Sequence, residues 1–257
     1  VRAARAVSHV AAPLLLGLLG LAAWEWLVLA ADLKPYLLPS PTAIGAELVA
    51  SGRLVLDDTV STGWNVLVGL VAGAVAGVVV ALAAARSRLL DGVVSPLAAA
   101  AAVMPIVALA PVLNNMFGST TEVSRQIIVS VVAFAPVFFN TLKGLRQVRP
   151  VHRDLMRAYA ASGWQVARTV TLPGAVPYVF TGLRLASAVG VIAAVVAEYF
   201  GGRQNGLGSA ITSAAAASAY PRAWAYVVGA IVLGLVFYCV TLLLERLVAR
   251  RMGGAVA

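Results

Sequence analysis

Six apolar runs, each near the length a helix needs to cross a bilayer, dominate this sequence of 257 residues: Val10 to Ala31, Thr59 to Ala85, Leu89 to Met116, Val123 to Leu145, Tyr178 to Tyr199 and Trp224 to Ala249. A hydrocarbon core of about 30 Å takes about 20 residues of α-helix to cross. With 61% hydrophobic and 11% charged residues, where a soluble domain has about 25% charged, the chain cannot cover itself with polar surface. The sequence therefore predicts an all-α polytopic membrane protein with six transmembrane helices. No Gly/Ser-rich linker or second, soluble composition interrupts it, which predicts a single membrane domain over 1–257. Arg2 and Arg5 before an apolar run resemble the start of a secretory signal, but Val10 to Ala31 is longer than a signal's apolar region and reads as a first span.

Charge sets the expected orientation, because cytoplasmic loops retain Lys and Arg. Arg2 and Arg5 precede the first span, Arg86 and Arg88 follow the second, and Arg246, Arg250 and Arg251 lie at the far end of the sixth. Between spans four and five, Lys143, Arg146, Arg149, Arg153, Arg157 and Arg168 stand against one acid, Asp154. The first loop is reversed in sign, with Lys34 and Arg53 against Asp32, Glu47, Asp57 and Asp58. Both termini and a basic loop over 146–177 are therefore expected on the cytoplasmic side. The formal net charge of +9 reads as membrane orientation rather than nucleic-acid binding.

The third span carries Pro96, Pro105 and Pro111, and each proline removes a helical hydrogen bond. Broken helices survive at membrane depth where freed carbonyls face protein or a water-filled cavity. A packing kink is the alternative for any single proline, but three in one span favour the cavity. Pro105, Pro111 and the neighbouring Asn114 and Asn115 are thus candidates to line a path through the membrane, with Glu198 at the end of span five. Gly69, Gly73 and Gly77 recur every fourth residue on span two, a spacing that permits close helix contact.

Catalytic chemistry is not written into the spans. No phosphate-binding G-x-x-x-x-G-K-[ST] loop occurs, and the only lysines, Lys34 and Lys143, follow no glycine-rich loop. The only histidines, His9 and His152, lie at or beyond membrane edges, and Cys239 is the single cysteine. No catalytic residue, metal site or resident cofactor is expected, so an ATPase would have to be another chain, with its own ATP and Mg. An ion-coupled carrier needs an ionisable group within the membrane. The candidates are sparse: Glu25 between Trp24 and Trp26, and Glu198 and Arg184 toward opposite ends of span five.

The basic loop is the most informative segment. Pro150 suits a helix's first turn, and the following residues place Leu155, Tyr159, Ser162 and Val166 on one side and Met156, Ala160, Gly163 and Ala167 on another. A small-residue face of that kind fits a partner's groove. A basic amphipathic helix lying on anionic lipid is the alternative.

Resemblance decides between them. Asp154-Leu-Met-Arg-Ala158-Tyr-Ala160-Ala-Ser-Gly163, then Val170-Thr-Leu172-Pro173, resembles the EAA loop of binding-protein-dependent ABC importer permeases. In that family a Glu-Ala-Ala, a Gly four residues on and an Ile-x-Leu-Pro form the coupling helix that docks into the ATPase. Asp154 stands at the Glu position and Ala160 at the Gly position, while Leu155 and Met156 replace the two alanines. The resemblance implies ATPase-coupling roles for Asp154, Arg157, Ala158, Ala160, Gly163, Leu172 and Pro173. Leu38-Pro39-Ser40-Pro41-Thr42 and Thr181-Gly-Leu-Arg-Leu-Ala186 look like the nitrate, sulfonate and taurine branch. Asn114 to Gly118, Glu198 to Gly202 and Gln204 to Gly208 look most like its riboflavin and thiamine-precursor pyrimidine subgroup.

The resemblance implies a type I ABC importer permease fold in a bacterial cytoplasmic membrane. It further implies a second permease copy or a paralogue, two ATP-binding subunits and an extracytoplasmic substrate-binding protein. The solute expected is a small heterocycle of the vitamin-precursor kind, with sulfonate, taurine or nitrate as the alternative. An ion-coupled secondary carrier and a non-transporting membrane scaffold are the rival readings from outside this class.

Overall fold

The computed structural model describes residues 2–148 and 150–253, and side chains over 11–148, 151–152 and 154–250. Expectations resting on Arg149, on the side chains of Arg2, Arg5, His9, Arg153 and Arg251, and on residues 254–257 of the single domain lie outside the described residues. Among the described residues every regular element is helical. They run α1 Arg2–Ala30, α2 Pro41–Ala50, α3 Gly52–Arg86, α4 Arg88–Ala102, α5 Ile106–Phe117, α6 Val123–Arg146 and α7 Pro150–Ala158. Next come α8 Gly163–Val166, a π-helical turn Ala167–Thr171, α9 Leu172–Tyr199, α10 Leu207–Ala216 and α11 Tyr220–Gly253.

Five stretches are long and apolar enough to cross a membrane: Ala11–Ala30, Gly52–Arg86, Val123–Arg146, Gly163–Tyr199 and Tyr220–Arg250. At the place of the third expected span, α4 and α5 meet at 98°. Five of the six expected spans are therefore continuous helices, and the third is the bent pair. Its break lies at Val103 to Pro105, where Pro105 begins α5 at φ −70° and ψ 106°. Met104 precedes a proline and so cannot easily take helical angles, while Pro96 and Pro111 are carried inside α4 and α5.

Several helices start earlier than their apolar runs. The second span begins at Gly52 rather than Thr59, and the fifth is helical from Gly163 rather than Tyr178. Apolar content marks the hydrocarbon core, whereas backbone hydrogen bonding continues past it into water. The π turn falls just before Pro173, with Leu172 N–H donating to Ala167 O five residues back. That wider turn carries the helix past a residue that has no N–H and whose ring crowds the preceding turn.

Close backbone contact joins α3 to α6. A Cβ added to Gly69 would lie 2.5 Å from the Val129 Cβ, and one on Gly77 would lie 3.0 Å from the Phe134 carbonyl oxygen. Gly73 meets the Ser130 carbonyl oxygen still more closely. Without an aqueous solvent to drive helices together, such small-residue contacts supply much of the association in lipid. Around this seam the buried core gathers Val66, Ile128, Val129, Ala194 and Leu207.

The first span stands apart from that core. Leu14, Leu16 and Leu19 of α1 are exposed, as expected for side chains facing lipid. Its far end is tied down by Glu25, whose carboxylate accepts from Thr42 N at 3.1 Å and Thr42 Oγ1 at 2.8 Å. Ser40 caps α2 by accepting from Ala43 N, and Pro41 opens the helix. The Leu38 to Thr42 motif thus builds a short helix clamped to the end of span one.

Candidate functional site

The helix ends sort into two faces of the molecule. One carries the basic loop and the adjoining ends of α3, α4, α6 and α9; the opposite end carries the starts of α3, α6 and α11 and the end of α9.

At the loop end, α7 stops at Ala158 because the chain turns left-handed. Ala160 has φ +51°, Ala160 N donates to Arg157 O at 2.9 Å, and Ala161 N donates to Met156 O at 3.0 Å. This is the reciprocal hydrogen-bond pattern of a Schellman motif, in which glycine is favoured at the left-handed position. Ser162 then restarts the helix through a capping box with Gln165. The continuous strip expected through Met156, Ala160 and Gly163 does not form, because the left-handed turn re-aims everything after Tyr159.

The loop projects. Val151, Leu155, Tyr159 and Trp164 are all exposed, Tyr159 by 77%. Asp154 and Arg157 form an exposed pair at 3.6 Å, and Ala158, Ala160 and Gly163 are also exposed. A Cβ on Gly163 would meet nothing within 4 Å, so nothing inside this chain requires a glycine there. Leu172 and Pro173 are partly buried, and Leu172 packs on the cluster of Ala81, Phe138 and Leu142. The coupling candidates therefore divide into an exposed tip, 154–163, and an anchored base, 172–173. Arg146 pairs with Asp91 at 2.6 Å and fastens the end of α6 to the start of α4 beside that base.

At the opposite end a buried ionic cluster joins four helices. Arg125, 1% exposed, sits in the first turn of α6. Its Nη1 donates to Glu122 Oε2 at 3.0 Å, Asn205 O at 3.0 Å and Asn205 Oδ1 at 2.7 Å, and its Nη2 to Arg203 O. Glu198, also 1% exposed, accepts on Oε2 from Thr62 Oγ1 at 2.9 Å and from Gly208 N at 3.0 Å. Its Oε1 lies 4.0 Å from Arg125. Gly206 takes φ +90° and a Cβ there would fall 2.6 Å from the Glu198 carboxyl, so only glycine fits.

Glu122 accepts from Asn65 and Asn205 and pairs with Arg125 and Arg203. Burial works to raise its pKa, but the amide hydrogen bonds and both guanidinium groups outweigh it and hold the carboxyl below the usual carboxylate range. Nearby, Arg222 donates to Glu47 and joins α11 to α2. That guanidinium and the Ser51 hydroxyl likewise hold the Glu47 carboxyl low.

The path candidates separate in this arrangement. Pro105, Pro111 and Asn115 are exposed. Asn114 is buried and accepts from Ser124 Oγ at 2.5 Å, and Glu198 belongs to the cluster. Sequence reading gave no role to Arg125 or Glu122. The available signal was an opposite-charge pair three residues apart at the start of an otherwise apolar span.

A family described as binding-protein-dependent transport system inner membrane component matches residues 69–254. The riboflavin transport system permease protein RibX of Chloroflexus aurantiacus is 28% identical over 229 residues, 88% of this chain and 85% of that one. The formylaminopyrimidine transport permease protein ThiX of Halalkalibacterium halodurans is 30% identical over 68% of this chain and 70% of its own. The taurine transport permease TauC of Escherichia coli matches at 29%, over 71% of this chain and 68% of its own. In fold, an amino acid ABC transporter solved with histidines superposes with a TM-score of 0.60 at 16% identity, over 77% of this chain and 96% of that one.

Proposed function

We propose, from the premise that this chain belongs to the binding-protein-dependent transport system inner membrane component family, that it is driven through residues 146–177 by a separate ATP-binding subunit. The chain is a multi-pass permease subunit of an ABC importer for small solutes in the bacterial inner membrane, and it has the fold of type I importer permeases. The finer reading is that α7 and the left-handed turn after it are the coupling element. Asp154, Arg157, Ala158, Ala160 and Gly163 contact the ATPase, while Leu172 and Pro173 transmit its movement into α9.

One observation carries this reading: Val151, Leu155, Tyr159 and Trp164 are exposed on a basic loop beyond the apolar spans. Apolar side chains in water are costly, by about 25 cal/mol per Å², and a groove in a partner would cover them. The direct experiment is ATP hydrolysis by the partner subunit in the assembled complex, with and without Ala160→Trp and Gly163→Trp. Loss of binding-protein-stimulated hydrolysis supports the assignment; full stimulation by both variants overturns it.

The rest of the assembly follows from that premise. Two permease copies around a twofold axis are the economical arrangement, with two ATP-binding subunits, carrying ATP and Mg, on the loop side and the binding protein on the side of the ionic cluster. Both termini face the cytoplasm. ATP binding shifts the permease between inward-open and outward-open states by its differential affinity for them. Pro105, Pro111 and Asn115 line the path, and Asn114 and Glu198 hold its outer end in shape.

The solute we favour is a small, planar, amide-rich heterocycle. Arg125, Arg203 and Arg222 at the outer end are each paired with a carboxylate, so none of these three is a free counter-ion for an anion. Relatives named for riboflavin and formylaminopyrimidine agree with that, and the taurine relative marks the competing class.

A further inference from the structure

A cavity of about 320 Å³ opens between the start of α3, α10 and the start of α11. Its wall includes Asp58, Gln204, Ser209, Ser213, Arg222 and Tyr226 over a floor of α10 alanines. Small-molecule sites run from about 300 to 1,000 Å³ and combine an apolar floor with a few convergent polar groups. The opening therefore suits one aromatic ring with its substituents.

We infer that this cavity is an entry subsite for an amino-substituted, planar heterocycle on its way from the binding protein into the path. The inference rests on the permease reading above and adds a location and a chemical requirement to it. The requirement comes from Asp58. Its Oδ1 accepts from Gly206 N at 2.9 Å, leaving Oδ2 to accept from a bound N–H. A carboxylate oxygen in that position is an acceptor, so the solute must bring the donor.

Arg222, the cation in the wall, is engaged by Glu47. A sulfonate or nitrate would enter beside the Asp58 carboxylate and a guanidinium whose charge Glu47 already balances. An amino-substituted ring instead donates to Asp58, shares hydrogen bonds with Ser213 and Gln204, and lies near the Tyr226 ring.

The ionic cluster explains why the cavity is preformed. Gly206 N is fixed on Asp58, Leu207 N on Thr62 Oγ1 at 2.9 Å, and Gly208 N on Glu198. Three consecutive backbone donors at the start of α10 are thus held by α3 and α9, so the helix bearing Ser209 and Ser213 cannot drift from the wall that faces it.

The test uses the whole transporter, permease with its ATP-binding subunits, in lipid nanodiscs. The permease carries Cys239→Ser and Ser213→Cys, and a membrane-impermeant maleimide reports access. Three probes are added separately without binding protein: 4-amino-2-methylpyrimidine, taurine and nitrate. Protection by the aminopyrimidine alone is expected. Asp58→Ala should raise the concentration for half-protection about ten-fold or more, as loss of a charged hydrogen bond implies.

Protection by taurine or nitrate but not the pyrimidine overturns the inference, as does no protection by any probe. Protection that needs only empty binding protein makes the cavity a docking surface and overturns it too. ATP hydrolysis stimulated by the binding protein is read in the same nanodiscs. If it persists while protection fails, the subsite is wrong and the permease reading stands; if it is absent in the unsubstituted transporter, the permease reading itself fails.

Discussion

Arg125 and Asn205, 80 residues apart in sequence, are joined by two hydrogen bonds from one guanidinium nitrogen, to the Asn205 carbonyl at 3.0 Å and to its side-chain oxygen at 2.7 Å. The contact fastens the start of the fourth span to the loop that leads into α10. Glu198 fastens the other side of the same loop through Gly208. With Thr62 on Glu198, these bonds tie the starts of α3, α6 and α10 and the end of α9 into one block.

Removing Arg125 should break that block. Arg125→Ala leaves the buried Glu198 without its cation and Glu122 with Arg203 alone, and breaking a buried pair costs about 3–5 kcal/mol. The variant should lose most of its thermal stability in detergent. Arg125→Lys keeps the charge but not the fork that reaches Glu122, Asn205 and Arg203 together, and should fall in between. A melting temperature unchanged in Arg125→Ala would show that the cluster does not hold the fold.

The turn after α7 gives a prediction of opposite sign. Ala160 occupies a left-handed conformation that costs an L-residue about 1–2 kcal/mol. Ala160→Gly should lower that cost, slow proteolysis of the loop and preserve ATPase binding. Ala160→Trp should keep membrane insertion and lose ATPase co-purification. Equal proteolysis rates for Ala160→Gly and the parent would contradict the turn assignment.

Acid should loosen this end of the bundle through Glu122. Its folded pKa is lowered from the usual 4.5, so its stabilising contribution is complete above that value and disappears as pH falls through the lower folded one. The stability difference between parent and Glu122→Gln should be constant from about pH 5 to 8 and shrink below about pH 4. A difference that grows between pH 5 and 8 would be inconsistent with this sign.

Adjacent asparagines on α5 should behave differently. Asn115→Cys, on an exposed position, should react with a membrane-impermeant maleimide to an extent that changes with ATP. Asn114→Cys, at a buried position bonded to Ser124, should react slowly in every state. Constant labelling of Asn115→Cys with and without ATP would remove it from the path.

The six spans were legible because apolar length is a property of each segment alone, and the third was legibly broken because Pro105 forbids its neighbour a helical geometry. The early starts at Gly52 and Gly163 were not, since helices continue past the apolar run. Nor was α10, whose first backbone donors depend on Asp58, Thr62 and Glu198, residues remote in sequence. The small-residue strip in the basic loop was misread for a local reason: the periodicity of Met156, Ala160 and Gly163 is helical, but Ala160 turns left-handed. Glu198 drew notice as a charge near a span's end, while its partner Arg125 did not, because only the fold brings α6 and α9 together.

We propose that transport is powered by a partner ATPase acting through residues 146–177. The direct measurement is uptake into sealed proteoliposomes bearing this chain and its ATP-binding subunits, with the binding protein outside, charged with the solute that co-purifies with it. Uptake should require ATP on the ATPase side, persist without any ion gradient, and fail when Ala160→Trp and Gly163→Trp are introduced. Uptake driven by a proton or sodium gradient without ATP, or ATP-driven uptake undiminished by both substitutions, would overturn ATPase coupling through this loop.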